Sequence, residues 1–204
     1  MQKIMFNDRY GLTQAVIEGR KTMTRRVIPD EFFGLTWDTR GNTLVYENEY
    51  GDFIDVRLSK YTRYKDGEIV SVAQNYFSTY DESKWENGIW YNEFADGSDI
   101  TNHAGWLNKM LVKAEYMPHQ IRITGIHCER LQDISDAECL KEGVRVEFAR
   151  NGSPMYYYFD TKRWREVWFD TPREAFAALI DKVSGRGTWE SNPWVVVYEF
   201  ELVK

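Results

Sequence analysis

The sequence predicts a mainly β protein with a few short helices (α+β), folded as a single domain over residues 1–204. Three observations support this class. Apolar and polar residues alternate along several strand-length runs, the helical patterns are few and short, and the chain is long enough to bury one sizeable core. Because strands of this kind usually close on themselves, we expect a small β-barrel.

Four core strands are predicted from this alternation and from the content of β-branched residues. They are KTMTRRVI at 21–28, EIVSVAQNY at 68–76, IRITGIHCERL at 121–131 and NPWVVVYEFELV at 192–203. A hairpin is predicted within residues 30–64, because TLVYENEYGDFIDVRL holds two strand-like runs on either side of the turn-prone segment 49–52. This hairpin is interpreted as an insertion into the domain.

Three helices are predicted, each with a start or stop signal. They are GLTQAVIEGR at 11–20, which ends near Gly19, DISDAECLKEGV at 133–144, with a capping box of Ser135 and Glu138 and a stop at Gly143, and TPREAFAALIDKVSG at 171–185, with Pro172 in its first turn. From Ser78 to about Ala114 the chain is polar and rich in Gly, Asn and Asp. This composition predicts a long ordered loop or lid.

Charge and cysteine content argue against several classes of protein. The net charge of −6 disfavours a protein that coats nucleic acid through many phosphate contacts. The two cysteines, Cys128 and Cys139, are too few for a disulfide scaffold, so we expect reduced, buried thiols in a cytoplasmic protein. No apolar run approaches the roughly 18 residues of a membrane span, so no membrane partner is expected. The spacing of histidines and cysteines fits no metal site, and no cofactor-binding glycine motif occurs, so neither is expected.

The densest polar cluster is GRKTMTRR at 19–26, which places four cations and two hydroxyls directly after the first predicted helix. Such a run suits an anionic or strongly polar ligand, but strand-edge cations that discourage aggregation have the same appearance. If residues 22–26 form a strand, Thr22, Thr24 and Arg26 share one face. Lys21 lies at the turn before this strand, where its long stem can arch toward Thr24.

Five blocks of the sequence, in order, resemble proteins of the ASCH family, especially those of phages and mobile elements. The blocks are GRKTMTRR, DGEIVSV, MPHQIRITGIHCERLQDIS, LKEGV at 140–144 and WESNPWVVVYEF at 189–200. The resemblance implies a PUA-like β-barrel, a fold used in the recognition of RNA and modified nucleotides. Residues 30–64, 79–114 and 145–170 match nothing in the family and are interpreted as insertions.

The resemblance also implies a reaction. One bacterial branch of the family hydrolyses N4-acetylcytidine, and its catalytic positions correspond to Lys21, Thr24 and Glu142. In that chemistry Lys21 acts as base, Thr24 supplies the attacking oxygen and Glu142 donates a proton to the departing amine. Lys21 lies among arginines, whose charges would lower its pKa, and Glu142 lies at the negative end of a helix, which favours a protonated carboxyl.

Several polar residues are candidates for substrate binding around this centre. Arg26 suits a forked contact with a phosphate or an acyl oxygen, and the amides of Gln74 and Asn75 suit the edge of a base. The complete candidate set is Arg20, Thr22, Arg25, Arg26, Gln74, Asn75 and Arg122. Each of these side chains has an ordinary structural alternative, as an ion-pair partner or as a polar residue of the sheet.

The predicted function is therefore recognition of RNA or of a modified pyrimidine nucleoside in a basic cleft, with hydrolysis of an N4-acylcytidine amide as the candidate reaction. Three alternatives stay open. The chain could be a non-catalytic RNA- or DNA-binding module, in which the basic strand contacts phosphates and aromatic rings stack on bases. It could cleave RNA, or it could be a phage protein that binds a host protein through its insertions.

Overall fold

The computed structural model describes residues 1–29, 34–59, 62–79, 85–86, 89–90 and 102–203. The described residues are mainly β with a few short helices, as predicted. The strands are β1 (Lys3–Ile4), β2 (Met23–Val27), β3 (Thr36–Asp38), β4 (Thr43–Glu47), β5 (Phe53–Asp55), β6 (Ile69–Val72), β7 (Trp85–Glu86), β8 (Ile89–Trp90), β9 (Gln120–Arg130), β10 (Arg145–Phe148), β11 (Pro154–Asp160), β12 (Arg165–Phe169) and β13 (Trp194–Val203). The helices are α1 (Leu12–Ile17), α2 (Asp136–Lys141), α3 (Pro172–Ser184) and α4 (Thr188–Ser191).

The chain divides into two compact units. The small unit holds residues 1–6, 69–121 and 203–204, and the large unit holds residues 7–68 and 122–202. Over the residues that the structure describes, the sheets are open and none closes into a barrel. The expected strand and helix content is therefore confirmed, while the strands remain in separate open sheets where a closed barrel was expected.

In the small unit β1 pairs in parallel with β6, and the core consists of Ala73, Tyr76, Val112 and Met117. The predicted strand at 68–76 is correct only as far as Val72. The chain then turns into a 3-10 helix at Tyr76–Thr79, because the Asn75 side chain accepts a hydrogen bond from the Ser78 amide at 2.7 Å. The loop predicted from Ser78 to Ala114 lies outside the described residues at 80–84, 87–88 and 91–101, and its described part holds β7, β8 and a 3-10 helix at Lys109–Leu111.

The main sheet of the large unit has the strand order β9–β13–β2, with β2 antiparallel to β13. Val195, Val196 and Val197 are all at most 1% exposed, so β13 is covered on both faces. One face of β2 is covered by α2, which also packs against α3. This packing places the end of α2 beside the start of β2, which is the arrangement on which the candidate site depends.

Two of the proposed insertions form small antiparallel sheets in the large unit. The hairpin predicted at 43–58 is confirmed as β4 and β5, with the turn closed by hydrogen bonds between Asn48 and Asp52, and β3 adds a third strand. Residues 145–170, for which the sequence predicted no structure, form the sheet β10–β11–β12. Helix α3 packs against β11 and β12.

The predicted helices are confirmed, with one difference in length. Ser135 and Glu138 form the predicted capping box of α2, and Thr171 and Glu174 form another at the start of α3, with Pro172 in its first turn. Helix α1 ends at Ile17, three residues before the predicted end. The following Gly19 has φ +72°, a conformation that stops the helix and turns the chain toward β2.

The two cysteines are buried, free thiols, as predicted. Burial raises the pKa of both Cys128 and Cys139 to about 12, so neither is a ready nucleophile near neutral pH. No helix among the described residues has the length and apolar character that crossing a membrane requires.

Gly143 provides a test of how tightly α2 is held against α1. Its φ is +107°, and a Cβ added there would lie 2.9 Å from Leu12 Cδ2 and 3.6 Å from Lys21 Cδ. We expect Gly143→Ala to lower the free energy of unfolding by about 1–3 kcal/mol, because it adds a clash to the strain of a left-handed backbone. Chemical denaturation measures this loss.

The matched control is Gly152→Ala. Gly152 also has a positive φ, of +82°, but a Cβ there would meet nothing within 4 Å. This control should therefore cost only the backbone term, about 1 kcal/mol. Equal losses in the two variants would show that the space beside Gly143 is not tightly packed.

Candidate functional site

The candidate site is built where the start of β2 meets the end of α2. Lys21 follows the Gly19 turn, and Glu142 is the residue at which α2 ends. The backbone joins the two segments, because the Thr22 amide donates to the Lys141 carbonyl at 3.0 Å. The sequence separation of Lys21 and Glu142 is large, but this hydrogen bond places their side chains within reach of one another.

Lys21 is buried against Glu142, with only 2% of its surface exposed. Its Nζ donates to Glu142 Oε2 at 2.6 Å, to the Glu142 carbonyl at 2.8 Å and to the Met23 carbonyl at 2.7 Å. The Met23 carbonyl belongs to the peptide bond that links Met23 to Thr24. The ammonium group is therefore held between the end of α2 and the backbone of β2, at the residue that precedes Thr24.

Arg25 shares the same carboxylate from the other side. Its Nη1 donates to Glu142 Oε1 at 3.1 Å, and its Nε donates to Glu129 Oε1 at 2.7 Å. Nη2 also lies 3.4 Å from Glu138 Oε2. With its side chain fully buried, Arg25 is an internal ion-pair residue, and the predicted role in substrate binding would require it to leave three carboxylates.

The pKa of Lys21 is lowered, in the predicted direction but for a different main reason. Burial is the largest cause, since it disfavours the charged amine, and the Glu142 carboxylate acts against it by stabilising the charge. Arg26 and Arg25 lower the pKa of Lys21 further, as smaller causes. The like charges of the neighbouring arginines are therefore a smaller cause of the lowered Lys21 pKa than burial is.

The geometry of Glu142 differs from that of an isolated proton donor. Oε2 accepts from Lys21 and Oε1 accepts from Arg25, so both oxygens act as acceptors, as an ionised carboxylate does. A proton reaches this carboxylate most directly from Lys21, over the 2.6 Å contact. Lys21 and Glu142 are thus a buried ion pair in direct contact.

Thr24 lies on the other face of β2 from Met23 and Arg25, as the alternation of a strand requires. It is 5% exposed and lies opposite Tyr198 of β13. The Tyr198 ring packs edge-on against Tyr64 at 5.3 Å, and its hydroxyl accepts from the Arg63 amide at 2.9 Å. Thr24 therefore faces an aromatic, largely buried environment, and the contact of Lys21 with this segment is at the Met23 carbonyl.

The remaining predicted binding residues of the large unit differ in exposure and in partner. Arg20 pairs with Glu18 at 2.6 Å, and Thr22 contributes its backbone to the sheet through the Phe200 amide. Arg26 is exposed on the face of β2 that carries Thr24. Arg122 is exposed and lies 3.5 Å from Glu201, a weak surface pair.

Gln74 and Asn75 belong to the small unit, where both serve local structure. Gln74 is 7% exposed, and its Oε1 lies 2.8 Å from His119 Nδ1. Asn75 accepts from the Ser78 amide and hydroxyl at the start of the 3-10 helix. Their amides are thus engaged within the small unit.

Sequence reasoning missed Glu129 and Glu138, which complete the ionic cluster around Arg25. Glu138 and Glu142 are four residues apart and so share one face of α2. When a helix face with two carboxylates packs against a strand, the strand must supply a cation to pair with them. The four-residue spacing of Glu138 and Glu142 was therefore a signal in the sequence that they could share a buried cation. Glu129 had no comparable signal, because its approach to Arg25 depends on the packing of β9.

Two cavities lie in the large unit. One, of about 420 Å³, is lined by Arg20, Leu140, Val144, Arg145, Val146 and Tyr157. The other, of about 510 Å³, is lined by Arg57, Leu58, Ser59, Thr62, Lys65, Asp66 and Ile126. The first is the nearer to the cluster along the chain, because Arg20 precedes Lys21, and Leu140 and Val144 lie on either side of Glu142.

The described residues contain no group of three or more His, Cys, Asp or Glu side chains placed to hold a metal ion. Comparison of the chain with known proteins found no matching family model, no matching curated protein and no matching solved structure. The ionic cluster of Lys21, Arg25, Glu129, Glu138 and Glu142 is therefore interpreted from its own geometry.

The first prediction from this cluster concerns Arg25. We expect Arg25→Met to lower the free energy of unfolding by about 3–5 kcal/mol, because it leaves Glu142 and Glu129 buried without their shared cation. Arg122→Met is the matched control, since it breaks an exposed pair worth at most about 1 kcal/mol. A loss at Arg25 no larger than the loss at Arg122, by chemical denaturation, would contradict a stabilising cluster.

The second prediction concerns acid sensitivity. Burial raises the pKa of Glu129, but hydrogen bonds from His127 and Arg25 together with their charges outweigh it, so its net pKa is lowered from 4.5. A lowered carboxyl pKa contributes stability that is complete above the unfolded value and is lost as the pH falls through the folded value. Below pH 4.5 the parent should therefore lose stability more steeply than Glu129→Gln. Parallel curves of unfolding free energy against pH would contradict this.

Proposed function

We propose that this protein is an ASCH-type, PUA-like protein that recognises a modified pyrimidine nucleoside and hydrolyses an N4-acylcytidine amide with Lys21, Thr24 and Glu142. One observation carries the proposal: a fully buried Lys21 lies 2.6 Å from Glu142 and contacts the backbone carbonyl that adjoins Thr24. Buried lysines with lowered pKa values are suited to act as bases. The five sequence blocks and the mainly β architecture support the same assignment.

The proposed reaction uses the buried Lys21–Glu142 pair to accept and donate protons. In the proposed reaction, transfer of a proton from Lys21 to Glu142 over their 2.6 Å contact leaves a neutral amine and a neutral carboxylic acid, and the burial that lowers the pKa of Lys21 favours the neutral amine. The neutral amine takes the proton of the Thr24 hydroxyl as its oxygen attacks the acyl carbon. The C–N bond then breaks, and Glu142 gives its proton to the departing cytidine amine.

Water completes the cycle. It attacks the acyl-Thr24 ester and releases the carboxylic acid, and the hydroxyl of Thr24 is restored. Arg25 has a supporting role, because its charge holds the Glu142 carboxylate in place through Oε1 during each proton transfer. Arg26, exposed on the face that carries Thr24, is suited to contact the acyl oxygen or a phosphate of the substrate.

A second function is favoured by the exposure of Arg26 and Arg122, whereas Arg25 is buried. In this alternative the surface binds RNA or DNA without catalysis, and the Lys21–Glu142 pair serves only to hold α2 on β2. Binding of this kind falls steeply with salt, because it depends on the release of counterions from phosphates.

The test is release of cytidine from N4-acetylcytidine by the purified protein and by three variants. Thr24→Val keeps the shape of the side chain but removes the attacking oxygen, and we expect the rate to fall at least about 1000-fold. Glu142→Gln keeps the shape but removes the proton donor, with an expected loss of about 100- to 10,000-fold. Thr24→Ser should retain measurable turnover because it keeps a hydroxyl.

Lys182→Ala is the control, since Lys182 is exposed on α3 and outside the cluster. It should turn over substrate at the parent rate, and circular dichroism should show that all variants are folded. No turnover by the parent protein, or full turnover by folded Thr24→Val, would overturn the amidohydrolase proposal and favour nucleic-acid binding.

A further inference from the structure

The turn between β11 and β12 carries an exposed aromatic ring among three cations. Trp164 is 81% exposed, and Lys162, Arg163 and Arg165, which surround it in sequence, are also exposed. We refer to residues 162–165 as the basic tip. In a chain with a net charge of −6, this segment is a local concentration of positive charge.

The backbone at Trp164 is in a conformation that bulky residues rarely adopt. Its φ is +52°, in the left-handed region where glycine or asparagine is the usual residue. A large apolar ring that is neither buried nor in a favourable backbone conformation contributes little to folding. The strain instead indicates a role for the ring at the surface.

The basic tip is held rigidly by contacts on its inner side. The Asp160 carboxylate accepts from Arg9 through Nε at 3.1 Å and Nη2 at 2.9 Å, and it also accepts from the Lys162 amide at 3.1 Å. The Thr161 amide and hydroxyl donate to the Arg9 carbonyl at 2.8 and 2.9 Å. Arg9 thus compensates the charge of Asp160, although Arg163 Nε lies 3.9 Å from the same carboxylate.

Aromatic rings continue from the basic tip along one face of the sheet β10–β11–β12. Phe159 meets Trp164 edge-on at 5.5 Å, and two residues earlier Tyr157 packs against Trp168 at 4.4 Å. Trp168 is 37% exposed. Two acids share this face, Glu166 opposite Phe159 and Glu147, which accepts from the Tyr157 hydroxyl at 3.0 Å. Arg145 also lies on this face, with its guanidinium 6.0 Å from the centroid of the Tyr157 ring, so flat rings and a further cation continue from the tip.

We propose that the basic tip binds single-stranded nucleic acid, with a base stacked on Trp164 and phosphates held by Lys162, Arg163 and Arg165. Every base has a flat face that stacks on an indole, and every linkage carries a phosphate, so ring and cations match one ligand. The apolar part of the tip is a single ring beside a charge of +3. One apolar ring beside three positive charges favours a polyanion over an apolar protein surface or a lipid interior. The proposal stands apart from hydrolysis, since it concerns a surface outside the Lys21–Glu142 pair.

The experiment measures fluorescence anisotropy of a labelled 12-nucleotide single-stranded RNA of mixed sequence at low salt. Trp164→Gly removes the ring and places at φ +52° the residue best suited to it. We therefore expect the Kd to rise about ten-fold while the melting temperature stays unchanged or rises. A weaker affinity without a lower melting temperature would show that binding is lost while the fold is kept. Tyr50→Ala, which removes another exposed ring at 80% exposure, is the control and should leave the Kd unchanged.

The cations are tested by the triple variant Lys162→Ala, Arg163→Ala, Arg165→Ala. If each contacts one phosphate, the slope of log Kd against log salt should fall by about 2, from a contribution of about 0.7 per contact for single strands. The double variant Lys182→Ala, Arg186→Ala removes exposed cations elsewhere in the large unit and should leave the slope unchanged.

Three outcomes would overturn the proposal: no binding by the parent protein, unchanged binding by Trp164→Gly, or an unchanged salt slope in the triple variant. Binding to vesicles with anionic lipid that requires Trp164, with RNA binding unaffected, would assign the tip to a membrane surface instead. Hydrolysis of free N4-acetylcytidine should be unaffected by Trp164→Gly, and RNA binding should be unaffected by Thr24→Val. The two proposals therefore fail separately.

Discussion

The constraint on which the large unit depends is that the charges of Lys21 and Arg25 are buried. A charge in a protein interior is tolerated only when it is paired and hydrogen-bonded. Both cations pair with the Glu142 carboxylate. Oε2 accepts a hydrogen bond from Lys21, and Oε1 accepts one from Arg25. The pairing requires α2 to end beside β2, so the position of a single side chain constrains how helix and sheet pack.

The same constraint accounts for the local features around the cluster. Gly143 directly follows Glu142 with φ +107°, in a space too small for a Cβ because Leu12 and Lys21 occupy it. Glu138 caps the start of α2 through Ser135 and lies near Arg25, so one carboxylate stabilises both the helix and the buried cation. The residues of the proposed chemistry therefore also hold the fold together, so we expect a substitution among them to alter stability as well.

The large unit contains two sites in opposite physical environments, one buried and one exposed. The Lys21–Glu142 pair is buried, where a low dielectric strengthens each interaction and shifts the pKa of Lys21. The basic tip is exposed, where charges are screened by salt and act mainly by attracting a polyanion. A buried pair is suited to proton transfer, and an exposed ring among cations is suited to binding single-stranded nucleic acid. The proposed hydrolysis and the proposed nucleic-acid binding thus require different environments, which the fold supplies separately.

The sequence by itself determined the local elements, because their signals are local. The capping box at Ser135 and Glu138, the Pro172 start of α3 and the alternation of residues 121–131 and 192–203 each act over a few residues, and each is present as predicted. Tertiary structure alone decided that Arg25 is buried among Glu129, Glu138 and Glu142 and that Lys21 pairs with Glu142. These pairs join residues far apart in the chain, and local alternation does not encode which distant element will cover a given face.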